Sequence, residues 1–240
     1  MAGETIRTEA VCLDIRPWSR TSHVVSWLTP DGKVTTVVKG AVRPKSAFLG
    51  QYDLNYTCDI LYYARTCGEA HALRDCLPLK TREPLRGDYR KLALAGYFRH
   101  LASELAPAGP DCAAWYGRLA SALDALPSVR RKDLVSVLVR FELDVLRLAG
   151  LSPDFSGYDR KAEWSPFSLE TASFSSVEGR SIRISRDVAE YLSSPACSPR
   201  NDGTPLDAAR VIGVFYQFHM GISAVVRRTV LGLISQNKEG

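Results

Sequence analysis

The chain has 240 residues, of which 45% are hydrophobic and 24% charged, and its formal net charge is +5. This composition is typical of a folded globular protein with a sizeable core, and it argues against long disordered regions. The net charge is compatible with a polyanionic partner but does not require one. The most apolar stretch, residues 211–226, is interrupted by Gln217 and His219. It falls short of the roughly 20 residues that span a bilayer, so it predicts a buried helix and no membrane attachment.

The cysteine and histidine pattern bears on location and cofactors. The first ten residues, MAGETIRTEA, contain no apolar core, so we expect no secretory leader, a cytoplasmic location and reduced thiols. No Cys-x-x-Cys occurs, and the four histidines lack the spacing of a zinc site. We therefore expect no structural metal and no cofactor. The six cysteines are Cys12, Cys58, Cys67, Cys76, Cys112 and Cys197.

The N-terminal region has the period of β-strands. Residues 5–14 alternate, and we expect Pro17 to end this run. Two further runs, 22–29 and 33–39, flank the turn Pro30-Asp31-Gly32, and a turn at 67–69 joins the runs at 54–64 and 71–77. Five short strands with almost no helix signal predict a small barrel of the SH3-like or OB type. Periodicity alone does not separate these two folds, or either from a small sandwich.

Past Pro84 the apolar residues recur with the period of a helix. Asp88 is suited to cap a helix that continues to Leu105. A second helix is predicted from Asp111 to Leu126. A third is predicted from Ser128 to Leu148, stopping at Gly150. A mainly helical domain therefore follows the strands.

The C-terminal part contains one β-type interruption. Short alternating pieces around 164–185, separated by 177–179, predict a small hairpin, and a short helix is expected over 186–192. Thr204, with Pro205 after it, is predicted to cap a long helix that runs to about Ala224. The predicted fold is an N-terminal five-stranded barrel over residues 1–80, followed by a mainly helical domain over 81–240 with a small β-hairpin insertion at about 164–185.

The sequence lacks the motifs of common catalytic sites. It contains no phosphate-binding glycine loop, no His-Glu-x-x-His and no Gly-x-Ser-x-Gly. Isolated candidates such as Cys112 and His100 lie on predicted helix faces, where packing is the usual role. The sequence therefore favours binding over catalysis, and we expect a protein that is not an enzyme.

The basic residues are better organised, above all in the stretch KVTTVVKGAVRPKSAFLG at 33–50. This stretch carries cations and no acid. Gly40 gives its loop backbone freedom, and Pro44 gives it a fixed direction. In a small barrel such loops can meet at one rim or along one face, and their cations would then form a groove for phosphates. A merely solvated surface loop is the alternative. The candidate cations are Arg16, Arg20, Lys33, Lys39, Arg43 and Lys45.

Aromatic residues lie among these cations. Trp18 and Phe48 fall in predicted loops and are candidates for stacking on unpaired bases. Trp27 lies inside an apolar run and is expected in the core. A further cluster opens the predicted third helix, where cations do not suit the helix dipole, so it predicts either an anionic partner or a solvated helix end. This cluster is Arg130, Arg131 and Lys132.

Several segments together resemble the RecO family of bacterial DNA repair proteins. They are RTSHVVSWLTPDGK, VVKGAVRPKSAFLGQY and FELDVLRLAGLSP, in this order. The most specific part is Lys39-Gly40-Ala41 with Arg43-Pro44-Lys45-Ser46 and Gly50. The resemblance implies an OB fold followed by a helical domain, binding of single- and double-stranded DNA, and annealing of complementary strands.

The resemblance also implies partners. They are RecR, RecF in many bacteria, and the acidic tail of the single-stranded DNA-binding protein. The family helps to place RecA on DNA that this protein coats, at the nucleoid. Three departures matter. Arg20 puts a cation where the family often has an acid nearby. Val42 stands where the family usually has a second basic residue. Residues 113–196 contain no cysteine, so the zinc site of many members is not expected. The alternative function is an adaptor that docks acidic tails and contacts DNA only weakly.

Overall fold

The computed structural model describes residues 4–65, 70–109, 111–174, 179–194, 199, 201–221 and 224–236. The chain forms two compact units that divide between Ser128 and Val129. This division into compact units does not test the predicted change from barrel to helical domain at residue 80, which stays a prediction. Within the part that the structure describes, no helix is long and apolar enough to cross a membrane.

The first unit contains a closed barrel of five strands in the order β1-β2-β3-β5-β4. β1 pairs antiparallel with both β2 and β4, and β3 pairs in parallel with β5. This closed Greek-key order confirms the five-stranded barrel and corresponds to the OB type among the alternatives. The strands are β1 (Thr5–Ser19), β2 (Ser22–Thr29), β3 (Gly32–Val38), β4 (Thr57–Tyr63) and β5 (His71–Lys80).

The barrel interior is apolar, as the alternating pattern predicts. Ala10, Cys12 and Trp27 are fully buried. The indole Nε1 of Trp27 donates to Thr36 Oγ1 at 2.8 Å, so the one polar atom of this ring is satisfied inside the core. The expectation that Trp27 is a core residue is confirmed.

The expectation that Pro17 ends the first strand is wrong. β1 continues to Ser19, and Pro17 lies opposite His23 of β2. The pairing of β1 with β4 stops at Val11. Beyond that residue β1 pairs with β2 alone among the described strands, and a proline without an N–H is tolerated at the unpaired edge.

Two helices complete the first unit. They follow a 3-10 turn at Glu83–Gly87. The Asp88 side chain accepts a hydrogen bond from the Arg90 backbone N–H at 3.0 Å, which confirms the predicted N-cap. Asp111 also precedes a helix as predicted, but its side chain makes no capping hydrogen bond. The helices are α1 (Tyr89–Leu105) and α2 (Cys112–Ala125).

The second unit is helical with a two-stranded hairpin. The hairpin strands are antiparallel, which confirms the predicted insertion. Its turn at 177–179 lies mostly outside the described residues, as does the predicted turn at 67–69. The elements are α3 (Leu134–Leu148), β6 (Trp164–Ser168), β7 (Ser181–Ser185), α4 (Arg186–Ser193), α5 (Thr204–Met220) and α6 (Ala224–Ser235).

The predicted start of the third helix at Ser128 is wrong. Ser128 ends a 3-10 turn and its hydroxyl donates back to the Ala125 carbonyl at 2.8 Å, so it closes the preceding helix. Arg130 is extended, with φ −71° and ψ 147°. The helix begins only at Leu134. Its predicted end is confirmed, because Gly150 has a positive φ of 76° and terminates it.

The long helix predicted from Thr204 to Ala224 is two helices. α5 begins at Thr204 as predicted. The Thr204 hydroxyl does not cap the helix: it donates to the Asn201 side chain at 2.7 Å, and the Thr204 N–H donates to the same oxygen at 3.0 Å. α5 ends at Met220, because Gly221 adopts a left-handed φ of 59° that breaks the helix before α6.

Four cysteines lie in the described part of the chain, and all four are buried free thiols. Burial raises the pKa of Cys12 well above its usual range, so this thiol stays protonated and unreactive. Cys67 and Cys197 fall outside the described residues. Among the residues described, no group of three or more His, Cys, Asp or Glu could hold a metal ion.

Candidate nucleic-acid interface

One end of the barrel brings two loops together. The turn between β1 and β2 contains Arg20 and Thr21, and the loop after β3 begins at Lys39. The Val42 N–H donates to the Thr21 carbonyl at 3.3 Å. The Gly40 N–H donates to Ser22 Oγ at 3.2 Å. The two loops are therefore attached to each other, as the sequence predicted for loops at one rim.

The loop after β3 is folded into successive turns. The Arg43 N–H donates to the Gly40 carbonyl at 3.1 Å, and the Ser46 N–H donates to the Arg43 carbonyl at 2.9 Å. Gly40 has a φ of 68°, a conformation that glycine adopts without strain. Lys39, Arg43 and Lys45 are exposed on this loop. A folded loop presents its charges with less conformational entropy to lose on binding.

No carboxylate within the described ranges forms an ion pair with Lys39, Arg43 or Lys45. The ion pairs of the first unit lie elsewhere, for example Arg7 with Asp59. We call the set Arg20, Lys39, Arg43 and Lys45 the basic rim. Its charges are free to neutralise an external anion.

The far end of the loop is anchored on the barrel. The Tyr52 hydroxyl lies 2.8 Å from His23 Nδ1, and its ring meets the Trp27 ring edge-on with centroids 6.0 Å apart. Burial raises the pKa of Tyr52, so the hydroxyl remains available for this hydrogen bond. Phe48 packs half-buried against the barrel core. The loop thus rests on the core at Phe48 and Tyr52, and the Phe48 ring has less free face than the sequence suggests.

Two of the cations predicted in the barrel have partners. Arg16 Nε lies 2.5 Å from Asp14 Oδ2, and this hydrogen bond raises the pKa of Arg16. Lys33 lies at the start of β3, and its Nζ donates to the Ser103 carbonyl of α1 at 2.9 Å. β3 has seven residues, which at about 3.3 Å each separates Lys33 from Lys39 by about 20 Å. The structure therefore brings Lys39, Arg43 and Lys45 together but places Lys33 at the opposite end of the strand.

The second predicted cluster belongs to the second unit. Arg131 and Lys132 lie in the 3-10 turn before α3, and Arg130 Nε donates to Asp133 Oδ2 at 2.7 Å. These cations lie directly before the N-terminus of α3, where the helix dipole disfavours positive charge, and Arg130 is offset by its ion pair with Asp133. Their role in binding stays a prediction.

A family model described as "Recombination protein O C terminal" matches residues 86–223, more than half of the chain. The chain belongs to the RecO family. Two relatives, each called DNA repair protein RecO, agree with this. The protein of Alkaliphilus metalliredigens is 27% identical over 150 residues, which are 62% of this chain and 59% of the relative. That of Moorella thermoacetica is 29% identical over 149 residues, 61% of this chain and 54% of the relative.

The matches leave part of the RecO proteins uncovered. The aligned region spans less than two thirds of either relative. The basic rim precedes residues 86–223, so the family model does not reach it. The family match therefore does not bear on what the rim of this RecO-family chain binds.

The structure adds residues that the sequence interpretation did not single out. Ser19, Thr21 and Ser22 line one pocket together with Lys39 and Arg43. The sequence does indicate these residues: the segment Trp-Ser-Arg-Thr-Ser, residues 18–22 at the junction of β1 and β2 in this RecO chain, is rich in hydroxyl groups. It was not decisive, because such residues are common in tight turns for local hydrogen bonding.

Proposed function

We propose that this RecO-family chain is a DNA-binding recombination mediator in DNA repair, and that it holds single- and double-stranded DNA by the basic rim. The observation that carries the proposal is the folded loop with Lys39, Arg43 and Lys45 exposed and, in the part of the chain that the structure describes, no carboxylate paired with them. Backbone phosphates are common to both forms of DNA, so one rim serves both. The proposed role needs binding and no catalytic group.

The mechanism is electrostatic. Each phosphate that a rim cation neutralises releases condensed counterions, so affinity falls as salt rises. If about four to six such contacts form, log affinity falls against log salt with a slope of roughly −3 to −5. Annealing follows when the rim holds one strand and screens the repulsion of the complementary strand.

The proposed partners follow from the family. They are RecR, RecF in many bacteria, and the acidic tail of the single-stranded DNA-binding protein, with RecA placed on the DNA that this protein coats. These events take place at the nucleoid in the cytoplasm. Arg16, Lys33 and the cluster Arg130, Arg131 and Lys132 are retained as secondary candidates for backbone contact, and Phe48 as a secondary candidate for stacking.

The test replaces Lys39, Arg43 and Lys45 together by Ala. We expect weaker binding of single strands and duplexes alike, and a salt slope flatter by about 2 to 3, because three phosphate contacts are lost. Fluorescence anisotropy of labelled oligonucleotides at several salt concentrations measures both.

The matched control removes three exposed cations from the second unit, by Arg160→Ala, Lys161→Ala and Arg228→Ala. It lowers the net charge equally, and we expect its slope to equal that of the wild type. If the rim variant keeps the wild-type slope, the rim is not the DNA site.

A second experiment separates the mediator from the adaptor. Complementary oligonucleotides are first coated with the cognate single-stranded DNA-binding protein, with its acidic tail intact or deleted. The mediator anneals them, and deletion of the tail slows the reaction. Tight binding of the tail peptide with near-zero binding of bare oligonucleotides would favour the adaptor instead.

A further inference from the structure

A pocket of about 450 Å³ opens between the β1–β2 turn and the start of the basic loop. Pockets of roughly 300–1,000 Å³ hold small organic ligands. Trp18, Lys39 and Arg43 are among the residues that line it. The pocket thus combines a large aromatic residue with two positive charges.

Trp18 owes its position to an irregularity in β1. Pro17 pairs with His23 and Ser19 pairs with Ser22, and the register shifts between Pro17 and Ser19. Trp18 is therefore the extra residue of a β-bulge, a device that redirects a side chain out of the strand's alternation. Its side chain is 68% exposed, whereas Trp27 is fully buried. The bulge presents to solvent a large ring that the barrel core does not use.

One of the two cations of the pocket, Arg43, lies against the backbone of its own loop. A Cβ at Gly40 would lie 3.3 Å from Cδ of Arg43, so the stem of Arg43 lies directly over this glycine. Lys39 precedes the same glycine. Two hydroxyls, those of Ser19 and Thr21, line the same pocket. An aromatic face, two cations and hydroxyl groups match the base, the phosphate and the polar edges of one nucleotide.

We propose that this pocket receives one unstacked nucleotide of a single strand, with its base on Trp18 and its phosphate at Lys39 and Arg43. The inference rests on the proposed function and deepens it. In a duplex both faces of a base are covered by its neighbours, so only a single strand can place a base on the ring. The pocket therefore adds a preference for single strands to a rim that binds the backbone of both forms.

The experiment compares Trp18→Ala and Trp18→Phe with the wild type on a single-stranded oligonucleotide, on the corresponding duplex and on an abasic strand of equal length. Stacking on one aromatic ring is worth about 5- to 150-fold in affinity. We expect Trp18→Ala to lose this factor on the single strand and to change binding of the duplex and the abasic strand less than twofold. Trp18→Phe should keep most of the affinity.

The outcomes separate this inference from the proposed function. An unchanged single-strand affinity in Trp18→Ala, or an equal loss on all three ligands, would overturn the nucleotide pocket and leave the basic rim standing. Wild-type protein that binds none of the three ligands would overturn both. Circular dichroism and the melting temperature verify folding, which we expect to be unaltered because Trp18 is exposed.

Discussion

A buried ion pair joins Glu142 of α3 to Arg227 of α6. Nε and Nη2 of Arg227 each donate to a carboxylate oxygen of Glu142 at 2.7 Å, and Nη2 also donates to the Ala209 carbonyl at 2.6 Å. The Tyr216 hydroxyl donates to the backbone carbonyl of Glu142 at 2.9 Å. Glu142 is fully buried. Because Ala209 and Tyr216 belong to α5, this single pair connects three helices of the second unit.

Replacing Glu142 by Gln should destabilise the second unit strongly. The change keeps the shape of the side chain but leaves the Arg227 charge buried without its counter-charge, which costs about 3–5 kcal/mol. Urea unfolding followed by circular dichroism measures the loss in the free energy of unfolding. Glu163 is exposed, and Glu163→Gln as the control should change it by less than about 0.5 kcal/mol. A loss below about 1 kcal/mol in Glu142→Gln, as for a surface ion pair, would contradict a buried role.

At this scale the sequence predicted what depends on near neighbours. Trp27 was assigned to the core because it lies in an apolar run, and it is fully buried. Glu142 gave no such signal, because its partner lies 85 positions later in the chain. The exposure of Trp18 was expected from a loop position, but the bulge that produces it depends on the register between two strands.

Among the elements, the end of α3 is set by one glycine. The Ala149 N–H donates to the Val145 carbonyl at 2.9 Å, and the Leu151 N–H donates to the Leu146 carbonyl at 2.8 Å. Gly150 between them has a φ of 76°. This left-handed conformation closes the helix and satisfies its last carbonyls.

Replacing Gly150 by Ala should lower the free energy of unfolding by about 1–2 kcal/mol, the usual cost of a left-handed conformation for a residue with a Cβ. Among the described residues, apart from the glycine's own chain neighbours, no atom lies within 4 Å of the added Cβ, so conformation is the main effect. Gly117 lies inside α2, also with open space around its Cβ. Gly117→Ala should stabilise by about 0.5–1 kcal/mol, because alanine is the better helix former. Thermal melts measure the two shifts, and shifts of the same sign would refute this explanation.

Element boundaries were predictable where the capping chemistry is local. The Asp88 cap and the Gly150 stop are of this kind, and both are confirmed. Ser128 has the chemistry of a cap but bonds backwards to α2, a choice that the packing of the preceding helix decides. The strand order was not predictable, because the pairing of Thr36 with His71 is non-local and leaves no trace in the period of either strand.

In the molecule as a whole, the period of the sequence changes near Pro84, but the first compact unit continues to Ser128. Two arginines, the buried Arg82 and the partly buried Arg99, explain why the helices remain with the barrel. Arg82 donates to the Asn55 carbonyl at 2.5 Å and to Asp124 Oδ1 at 2.8 Å. Arg99 donates to Asn55 Oδ1 at 2.7 Å, and burial lowers the pKa of Arg99. Asn55 lies just before β4, Arg82 just after β5, Arg99 in α1 and Asp124 in α2. These bonds therefore attach both helices to the barrel.

The Asp124 attachment predicts how the stability of the first unit depends on pH. Burial acts to raise the pKa of Asp124, but the hydrogen bond from Lys80, at 2.5 Å, and the charge of Arg82 outweigh it, so the folded pKa is below the ordinary value. A carboxyl whose pKa is lowered by folding stabilises the fold above its unfolded pKa and loses this contribution as pH falls through the folded pKa.

Asp124→Asn should therefore lower the free energy of unfolding at pH 7, and its difference from the wild type should shrink as pH falls below about 4, near the pKa of an unfolded aspartate. Urea unfolding followed by tryptophan fluorescence, to which the buried Trp27 and Trp115 of the first unit contribute, measures the difference at each pH. Asp111→Asn serves as the control, because the Asp111 side chain makes no capping hydrogen bond, and we expect a change within about 0.5 kcal/mol throughout. A difference for Asp124→Asn that persists undiminished at pH 3 would mean that shape, and not charge, makes this carboxylate stabilising.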